Sequence, residues 1–382
     1  MSRTAPSTQR IQALDGLRGI AVLAVILFHH ALFGAGWVGV QLFFVLSGYL
    51  ITSNLLRDKE LPAAAFFGSF YRRRSLRIFP VYFAYLAVLA CLAAVSSKAR
   101  EFHDDWPYLV SYTYNLTHLS AEWKLSWWYS HFWSLCIEEQ YYLVWPLVVY
   151  TVTRGRLKGV LIGMIALAPV VRWAAARVLA SRLSPENLGE AVYWFTPAQM
   201  DGFAVGSVIA VFPWRERPHE STRGARLLAA LAIVAGLGNL LLFLHEGRLP
   251  ERQDWTCLGY PLASTEHAQH VWSYTLLDAA CGLLVVGSVR GERWTRFFQH
   301  PWLTFVGRVS YCAYVVHPGV IIVVRKALTP YGWSDDTVAG RLLLLAVSLP
   351  LILAVSAASY RWFEGRLLAL RSSAPATRSA SV

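Results

Sequence analysis

Long apolar segments recur along the chain, and short polar or basic stretches separate them. About ten of these segments approach the 20 residues that a helix needs to cross a bilayer. The pattern therefore predicts an all-α fold, a polytopic transmembrane helical bundle of about ten spans. The predicted spans are 14–34, 37–56, 76–96, 130–152, 158–179, 195–213, 225–245, 270–289, 303–324 and 338–360.

The composition agrees with this pattern. Of the 382 residues, 55% are hydrophobic and only 15% are charged, whereas about 25% of the residues of a soluble domain are charged. The five cysteines are scattered and form no CxxC pair, so we expect neither a disulfide framework nor a metal site. The sequence predicts one membrane domain over 14–365, between a tail at 1–13 and a disordered tail at 366–382.

Charge gives the orientation of these spans. With the N-terminus placed in the cytoplasm, most Lys and Arg residues fall in the segments on the cytoplasmic side. This asymmetry is typical of membrane proteins and predicts that both termini are cytoplasmic. Basic loops beside a membrane also account for the net charge of +12. We therefore expect membrane lipids as partners and no nucleic acid.

The first predicted span carries Arg18 near its start and His29 near its end. The two residues are about three helical turns apart, so their side chains share one face and are separated by roughly 16 Å. Ionisable groups inside a membrane are expensive and usually functional. The alternative is an arginine that reaches the interface and a histidine that bonds to a neighbouring helix.

The most basic stretch, FYRRRSLRIFP, precedes the third predicted span. It contains Arg73, Arg74 and Arg77, and the last two lie on one face as the predicted helix begins. Arginines beside a span are ordinary topology signals. Clustered arginines also bind phosphate through charge-assisted bidentate contacts. Because Arg18 enters from the same side, one anionic ligand could contact all of them.

Two adjacent acids, Glu138 and Glu139, lie in the fourth predicted span. Both are roughly 12 Å from its outer end, where two neighbouring carboxylates cannot both ionise cheaply. We expect one of them to face a polar interior. The alternative is that arginines of other helices satisfy both.

Other polar side chains also fall in predicted spans. His317 and Tyr311 lie in the ninth, Asp201 in the sixth and Gln41 in the second. Each has a plain structural explanation, such as a hydrogen bond between helices. His317 and Asp201 fall in the outer half of the membrane, as His29 and the two glutamates do. We therefore assign His317, Tyr311, Asp201 and Gln41 to the binding of an acceptor substrate.

Five fragments, taken together and in order, identify the chain as similar to a known family. It resembles the membrane-bound acyltransferase 3 family, whose polytopic members modify surface polysaccharides, lipids and some antibiotics. The fragments are LDGLRGIAVLAVILFHH, VGVQLFFVLSGYLIT, FYRRRSLRIFP, HFWSLCIEEQYYLVWPL and GRVSYCAYVVHP. The chain departs from the family pattern at Gln41 and Cys136, where an acidic residue and a serine are common. It resembles the standalone members, which lack an extracytoplasmic hydrolase-like domain.

The resemblance implies transfer of an acyl group, expected to be acetyl, from cytosolic acyl-coenzyme A to a hydroxyl of a glycan, lipid or metabolite. Acyl-coenzyme A is then a substrate, and no permanently bound cofactor is expected. The Arg18, Arg73, Arg74 and Arg77 side chains would bind this polyanionic donor. His29 would act as general base, and Glu138 or Glu139 would orient its imidazole. We expect the protein in a bacterial inner membrane.

The competing hypothesis is a transporter for a small anionic or zwitterionic molecule. Transporters of this size usually contain internal repeats with paired broken helices. No such duplication is visible between the two halves of the sequence. A purely structural membrane partner would leave the intramembrane His and Glu residues without a role.

Overall fold

A computed structural model describes residues 11–95, 100–212, 214, 221–247 and 255–369. These residues form α-helices and short 3-10 or π-helical turns, and the described ranges contain no strand. The all-α prediction is therefore confirmed. The helices are α1 Gln12–His29, α2 Val38–Asp58, α3 Ala63–Val95, α4 Arg100–Val110, α5 Trp133–Thr151, α6 Arg154–Leu179, α7 Pro185–Trp194, α8 Met200–Val211, α9 Ser221–His245, α10 Gln269–Arg290, α11 Pro301–Leu328, α12 Val338–Ser359 and α13 Gly365–Ala369.

Eight of the described helices are long and apolar enough to cross a membrane: α1, α2, α3, α6, α9, α10, α11 and α12. Each corresponds to one of the predicted spans. The predicted span at 130–152 is present as the 19-residue α5, whose acidic and aromatic side chains lower its hydropathy. The one at 195–213 contains only the 12-residue α8, which covers roughly 18 Å. The count of ten spans stays a prediction, as do the predicted tails, most of which lie outside the described residues.

The third helix begins earlier than the sequence suggested. The basic stretch was expected to be a loop that ends where a span starts near residue 76, but α3 is continuous over 33 residues from Ala63. The apolar residues that precede the arginines, including Phe66 and Phe70, are buried in the core and extend the helix toward its N-terminus. Arg74 and Arg77 therefore lie on the face of a regular helix and not at its fraying end.

The helix α1 lies at the centre of the bundle, in contact with α2, α10 and α11. Glycines allow the close approach: a Cβ added to Gly307 of α11 would collide with the carbonyl oxygen of Asp15. Gly39 and Gly48 of α2 face the carbonyl oxygens of Ala21 and Phe203 in the same way. Small residues at these contacts bring polar groups of different helices within reach of one another.

The connecting segments gather at the two ends of the bundle as the predicted topology requires. At one end, Gly34 N donates a hydrogen bond of 2.7 Å to Thr256 Oγ1, and Arg341 donates one of 3.0 Å to the carbonyl of Ala31. Thr256 belongs to a predicted outer loop, and the other three residues lie at the predicted outer ends of the spans 14–34 and 338–360. Among the predicted cytoplasmic residues, Lys59 donates a 2.6 Å hydrogen bond to the carbonyl of Val149. Which end is cytoplasmic stays a prediction.

Candidate active site

A cavity lies between α1, α2, α3, α5 and α11. Each of the five sequence fragments contributes at least one of its lining residues. Its polar lining comes from Arg18, Ser47, Arg74, Arg77, Ser134, Glu138, Tyr142, Ser310, Tyr311 and Tyr314. Apolar side chains with a few convergent polar groups are the usual lining of small-molecule sites. The helix packing therefore assembles fragments that are far apart in sequence into one candidate site.

Three arginines dominate one part of this cavity. Arg18 lies close enough to Arg77 and Arg74 to interact electrostatically with both, although like charges repel one another. Within the described ranges, no carboxylate lies within ion-pair distance of Arg18 or Arg77. Arg74 packs against the rings of Phe70 and Tyr142, with its guanidinium carbon 5.9 Å from each ring centroid. This concentration of positive charge is suited to an anionic ligand.

The fourth predicted donor-binding residue lies elsewhere. Arg73 forms an ion pair of 2.7 Å with Asp58 and does not line the cavity. Neighbouring residues on a helix point about 100° apart, so Arg73 faces the end of α2 while Arg74 faces the cavity. The assignment of Arg73 to donor binding is therefore not supported.

Glu138 lines the cavity beside the arginines. Its Oε1 accepts a hydrogen bond from Ser47 Oγ at 3.2 Å, and its Oε2 accepts one from Tyr142 Oη at 2.9 Å. It also interacts electrostatically with Arg18 and Arg77. Among the described residues, no hydrogen bond joins His29 to Glu138, so the expected orienting contact is absent.

Glu139 lies outside the cavity lining. Its Oε1 is buried and has no hydrogen-bond partner in the described part of the chain. Glu139 interacts electrostatically with Tyr112, Glu138 and Arg74. Of the two glutamates, the structure places only Glu138 in the candidate site.

His29 instead has a histidine as its neighbour. Its Nδ1 is 2.8 Å from the carbonyl oxygen of Val25, and Nδ1 of His317 is 2.7 Å from that of Tyr314. A carbonyl can only accept, so both Nδ1 atoms carry hydrogen, a tautomer inferred from the hydrogen bonding. His317 Nε2, 3.4 Å from His29 Nδ1, is then an acceptor. His29 Nε2 is left with an unshared electron pair.

A third ring, His131, belongs to the same cluster. Its centroid is 5.2 Å from that of His317, and its Nε2 is 3.1 Å from the carbonyl oxygen of Val315. We predicted no role for His131 from the sequence. Its one signal there is its position a few residues before Glu138, in the fragment HFWSLCIEEQYYLVWPL. The cluster of His29, His131 and His317 is called the histidine cluster below.

Tyr314 connects the histidine cluster to the cavity. Its ring lines the cavity and lies 5.6 Å from that of His317. Its hydroxyl donates a hydrogen bond of 3.0 Å to the carbonyl of His131. His317 therefore lies one side chain from the cavity and contacts His29, and the prediction that Tyr311 lies near the site agrees with its place in the lining.

Asp201 and Gln41 are not available to a substrate in this cavity. Asp201 is fully buried and forms an ion pair of 2.9 Å with Arg172, which is also fully buried. Gln41 Nε2 donates a hydrogen bond of 3.1 Å to Gln199 Oε1. Neither residue lines the cavity. Their assignment to acceptor binding is therefore not supported, and both belong to a separate polar region near α10.

His30 has a structural role that distinguishes it from His29. Its Nδ1 is 2.7 Å from the carbonyl oxygen of Ile26, and its Nε2 is 2.7 Å from Ser348 Oγ on α12. Both ring nitrogens therefore have hydrogen-bond partners, and Nε2 joins the end of α1 to α12. Of the two adjacent histidines, only His29 keeps a ring nitrogen without a hydrogen-bond partner among the described residues.

Comparison with known proteins agrees with this geometry. A family model described as an acyltransferase domain matches residues 11–361. A Staphylococcus aureus (strain COL) protein with the provisional name O-acetyltransferase is 26% identical over 93% of this chain and 56% of its own length. The O-acetyltransferase OatA of S. aureus (strain NCTC 8325 / PS 47) is 23% identical over 84% of this chain and 52% of its own length.

The chain thus spans about half the length of the curated relatives it matches. No solved structure matches it. The family model covers the helices that carry the arginines, Glu138 and the histidine cluster. The chain therefore belongs to the acyltransferase 3 family.

Proposed function

We propose that this protein is a membrane O-acyltransferase that moves an acyl group, acetyl in the first instance, from acyl-coenzyme A to a hydroxyl group. The observation that carries the proposal is the cavity in which Arg18 and Arg77 lie close together and whose far side adjoins the histidine cluster through Tyr314. A phosphate-binding end and a base-bearing end are what a coenzyme A-dependent acyl transfer requires.

The arginines suit the donor. Coenzyme A carries several phosphate charges, and guanidinium groups bind phosphate through two parallel hydrogen bonds. Arginines that are held close together repel one another, and this repulsion decreases when a polyanion binds between them. We expect Arg18, Arg74 and Arg77 to contact the phosphates at the end of the cavity that faces the cytoplasm under the predicted topology.

The length of the donor suits the separation of the two groups. Arg18 and His29 lie on one helix, roughly 16 Å apart along its axis. The pantetheine arm of coenzyme A is long and narrow, and the apolar side chains with which α2 lines the cavity suit the apolar part of such an arm. We propose that the arm passes from the arginines toward Tyr314 and presents its thioester beside the histidine cluster.

His29 is the proposed general base. Its Nε2 would take the proton of the acceptor hydroxyl as the oxygen attacks the thioester carbonyl. The new ester bond forms, the carbon–sulfur bond breaks, and the departing thiolate of coenzyme A receives the proton from His29. The reaction is thus balanced without an additional reactant.

His317 and Glu138 are proposed as positioning residues. His317 Nε2 accepts from the Nδ1–H of His29, which fixes the ring and stabilises the imidazolium that forms in the transition state. Glu138, held by Ser47 and Tyr142, would partly offset the charge of the arginines and fix their positions. The sequence assigned the orientation of the His29 imidazole to Glu138 or Glu139, and we now assign it to His317.

The names of the relatives favour acetyl as the acyl group and a hydroxyl as the acceptor. A carbohydrate, a glycolipid and a hydroxyl-bearing metabolite are all acceptors of this class. The predicted orientation places the acceptor on the outer side of a bacterial inner membrane or within its outer leaflet, while the donor is cytosolic.

The experiment is expression in a host that lacks the protein, followed by mass analysis of glycans, lipids and small molecules. Cells with the wild-type protein should contain one class of molecule with an added acyl group. Cells with His29→Ala, at equal membrane abundance, should lack it, whereas cells with His30→Ala should retain it. An identical set of products in all four strains, including the empty host, would contradict the proposal.

A further inference from the structure

The region around Arg172, away from the cavity, contains two buried carboxyl groups and one buried guanidinium group. Arg172 on α6, Asp201 on α8 and Asp278 on α10 are all 0% exposed. Asp201 pairs with Arg172 at 2.9 Å, and Asp278 interacts electrostatically with both. These three residues are called the acidic cluster below. Two carboxylates and one guanidinium leave one negative charge without compensation, which is costly inside a membrane.

Hydrogen bonding does not satisfy this charge. Arg172 uses its two terminal nitrogens for the carbonyls of Ala198 and Val271 and for Asp201 and Thr275. Neither oxygen of Asp278 has a hydrogen-bond partner among the described residues, and Oδ1 of Asp201 has none either. Buried carboxylate oxygens are normally bonded, so such exceptions indicate a missing ion or water.

Neutral oxygens converge on the same place. Tyr193 interacts electrostatically with Asp278, and its ring packs 5.2 Å from that of Tyr274. Both hydroxyls are buried without a partner in the described part of the chain. Gly202 allows the Asp278 carboxyl to approach α8 closely, because a Cβ on it would lie only 3.2 Å from Asp278 Oδ1.

The register of two helices adds one more ligand. The ring of Trp37, just before α2, contacts that of Tyr274 on α10. Residues further along both helices belong to one hydrophobic cluster, so α2 and α10 run in the same direction. Gln41 and Asp278 are each four residues further on, or one helical turn. Gln41 therefore lies at the same level of the bundle as Asp278. Its Oε1 is also buried and has no hydrogen-bond partner within the described ranges.

We infer that the acidic cluster binds one small monovalent cation through oxygen ligands. A single added proton would neutralise the charge but would leave most of the unpartnered oxygens unsatisfied. Water would bond to the oxygens but would leave the charge. A hard cation does both, because it prefers carboxylate, carbonyl and hydroxyl oxygens. The ligands are Asp278, Asp201 Oδ1, Gln41 Oε1 and the hydroxyls of Tyr193 and Tyr274.

The test uses the purified full chain and Na⁺ as the probe. Binding of ²²Na⁺ should be saturable in the wild-type protein, and NaCl should raise its unfolding temperature relative to choline chloride at the same ionic strength. Asp278→Asn, which removes the charge and keeps the shape, should weaken ²²Na⁺ binding at least about tenfold and should abolish the stabilisation. Glu364→Gln is the matched control: it alters a buried carboxylate bonded to Ser359 and should keep the wild-type response.

Two results would overturn the inference. In the first, the wild-type protein does not bind Na⁺ and shows an infrared band of a protonated carboxylic acid that is absent from Asp278→Asn. That result would show that a proton takes the place of the cation. The other is neither Na⁺ binding nor such a band, which would show water alone. If Asp278→Asn does not fold, Gly202→Ala replaces it, because the added methyl group would crowd Asp278 and should also lower the affinity for Na⁺. Unchanged binding in that variant would contradict the proposed position of the site.

Discussion

His29 and His317 lie edge to face, with ring centroids 4.7 Å apart and with Nε2 of His317 3.4 Å from Nδ1 of His29. The two residues belong to the first and the eleventh helices and are brought together by the glycine contacts between those helices. The contact fits one tautomer of His29, in which Nδ1 carries the hydrogen and Nε2 has no hydrogen-bond partner among the described residues. The proposed base thus depends on a distant residue for its geometry.

The first prediction concerns this pair. His317→Ala should lower kcat by about 10²-fold, because a base displaced by roughly 1 Å transfers a proton poorly, while KM for acetyl-coenzyme A should stay unchanged. His317→Gln, whose side-chain oxygen can still accept from His29, should recover part of the loss. Steady-state kinetics of the three proteins provides the measurement. A rise in KM with an unchanged kcat would instead assign His317 to substrate binding.

The second prediction concerns the donor site. Arg18→Lys and Arg77→Lys should each weaken coenzyme A binding by about 1.5–3 kcal/mol, since lysine cannot form the paired hydrogen bonds to phosphate. Titration calorimetry on purified protein measures this. Arg73→Lys is the matched control, because Arg73 pairs with Asp58 outside the cavity and should bind normally. Equal losses in all three variants would indicate a general effect of basic charge beside the membrane.

The third prediction tests the orientation. Cysteines introduced at Ser120 and Ser334, which are exposed in predicted outer loops, should react in intact cells with a thiol reagent that cannot cross membranes. A cysteine at Glu60, exposed in the first predicted cytoplasmic loop, should react only after the cells are opened. The exposed Cys91 is first replaced by serine. The reverse pattern would place the arginines on the outer side and would exclude a cytosolic donor.

The fourth prediction concerns acid stability. His118 lies in a connecting segment between the rings of Trp123 and Trp194, and burial lowers its pKa far below 6.5. Because the folded state disfavours the proton, stability is complete above pH 6.5 and falls as the pH drops below it, by up to about 1.4 kcal/mol per pH unit. Tryptophan fluorescence should report this loss. His118→Phe, which cannot bind a proton, should unfold with a weaker dependence on pH; an identical dependence would assign the effect to other groups.

The sequence predicted the fold well because membrane spans are encoded locally. Length and hydropathy locate helices such as α1 and α12 without any knowledge of their neighbours. Length and hydropathy identify a span less clearly where the helix carries polar side chains. An example is α5, which contains Glu138, Glu139 and several aromatic residues and is less apolar than an ordinary span. These two criteria also missed the start of α3, since its arginines looked like a loop while the buried Phe66 and Phe70 extend the helix.

The site was predicted in part. Arg18, Arg74, Arg77, Glu138 and Tyr311 line one cavity as expected. The contact between His29 and His317 could not be read from the sequence, because it depends on how α1 and α11 pack at their glycines.

Asp201 and Gln41 lie outside this cavity, which the sequence could not show for the same reason. Both are intramembrane polar residues, and depth alone does not reveal their partners. Asp201 pairs with Arg172, and this contact depends on the packing of α6 against α8.

The most direct test of the account is the rate at which labelled acetyl groups move from acetyl-coenzyme A to acceptors in membranes of the producing cells. Wild-type, His29→Ala and His30→Ala proteins are compared at equal abundance, with coenzyme A affinity measured in parallel. The account predicts that His29→Ala loses roughly 10²–10⁴-fold of the rate and binds coenzyme A normally, while His30→Ala retains most activity. Transfer by His29→Ala at the wild-type rate would contradict the role of His29 as the base.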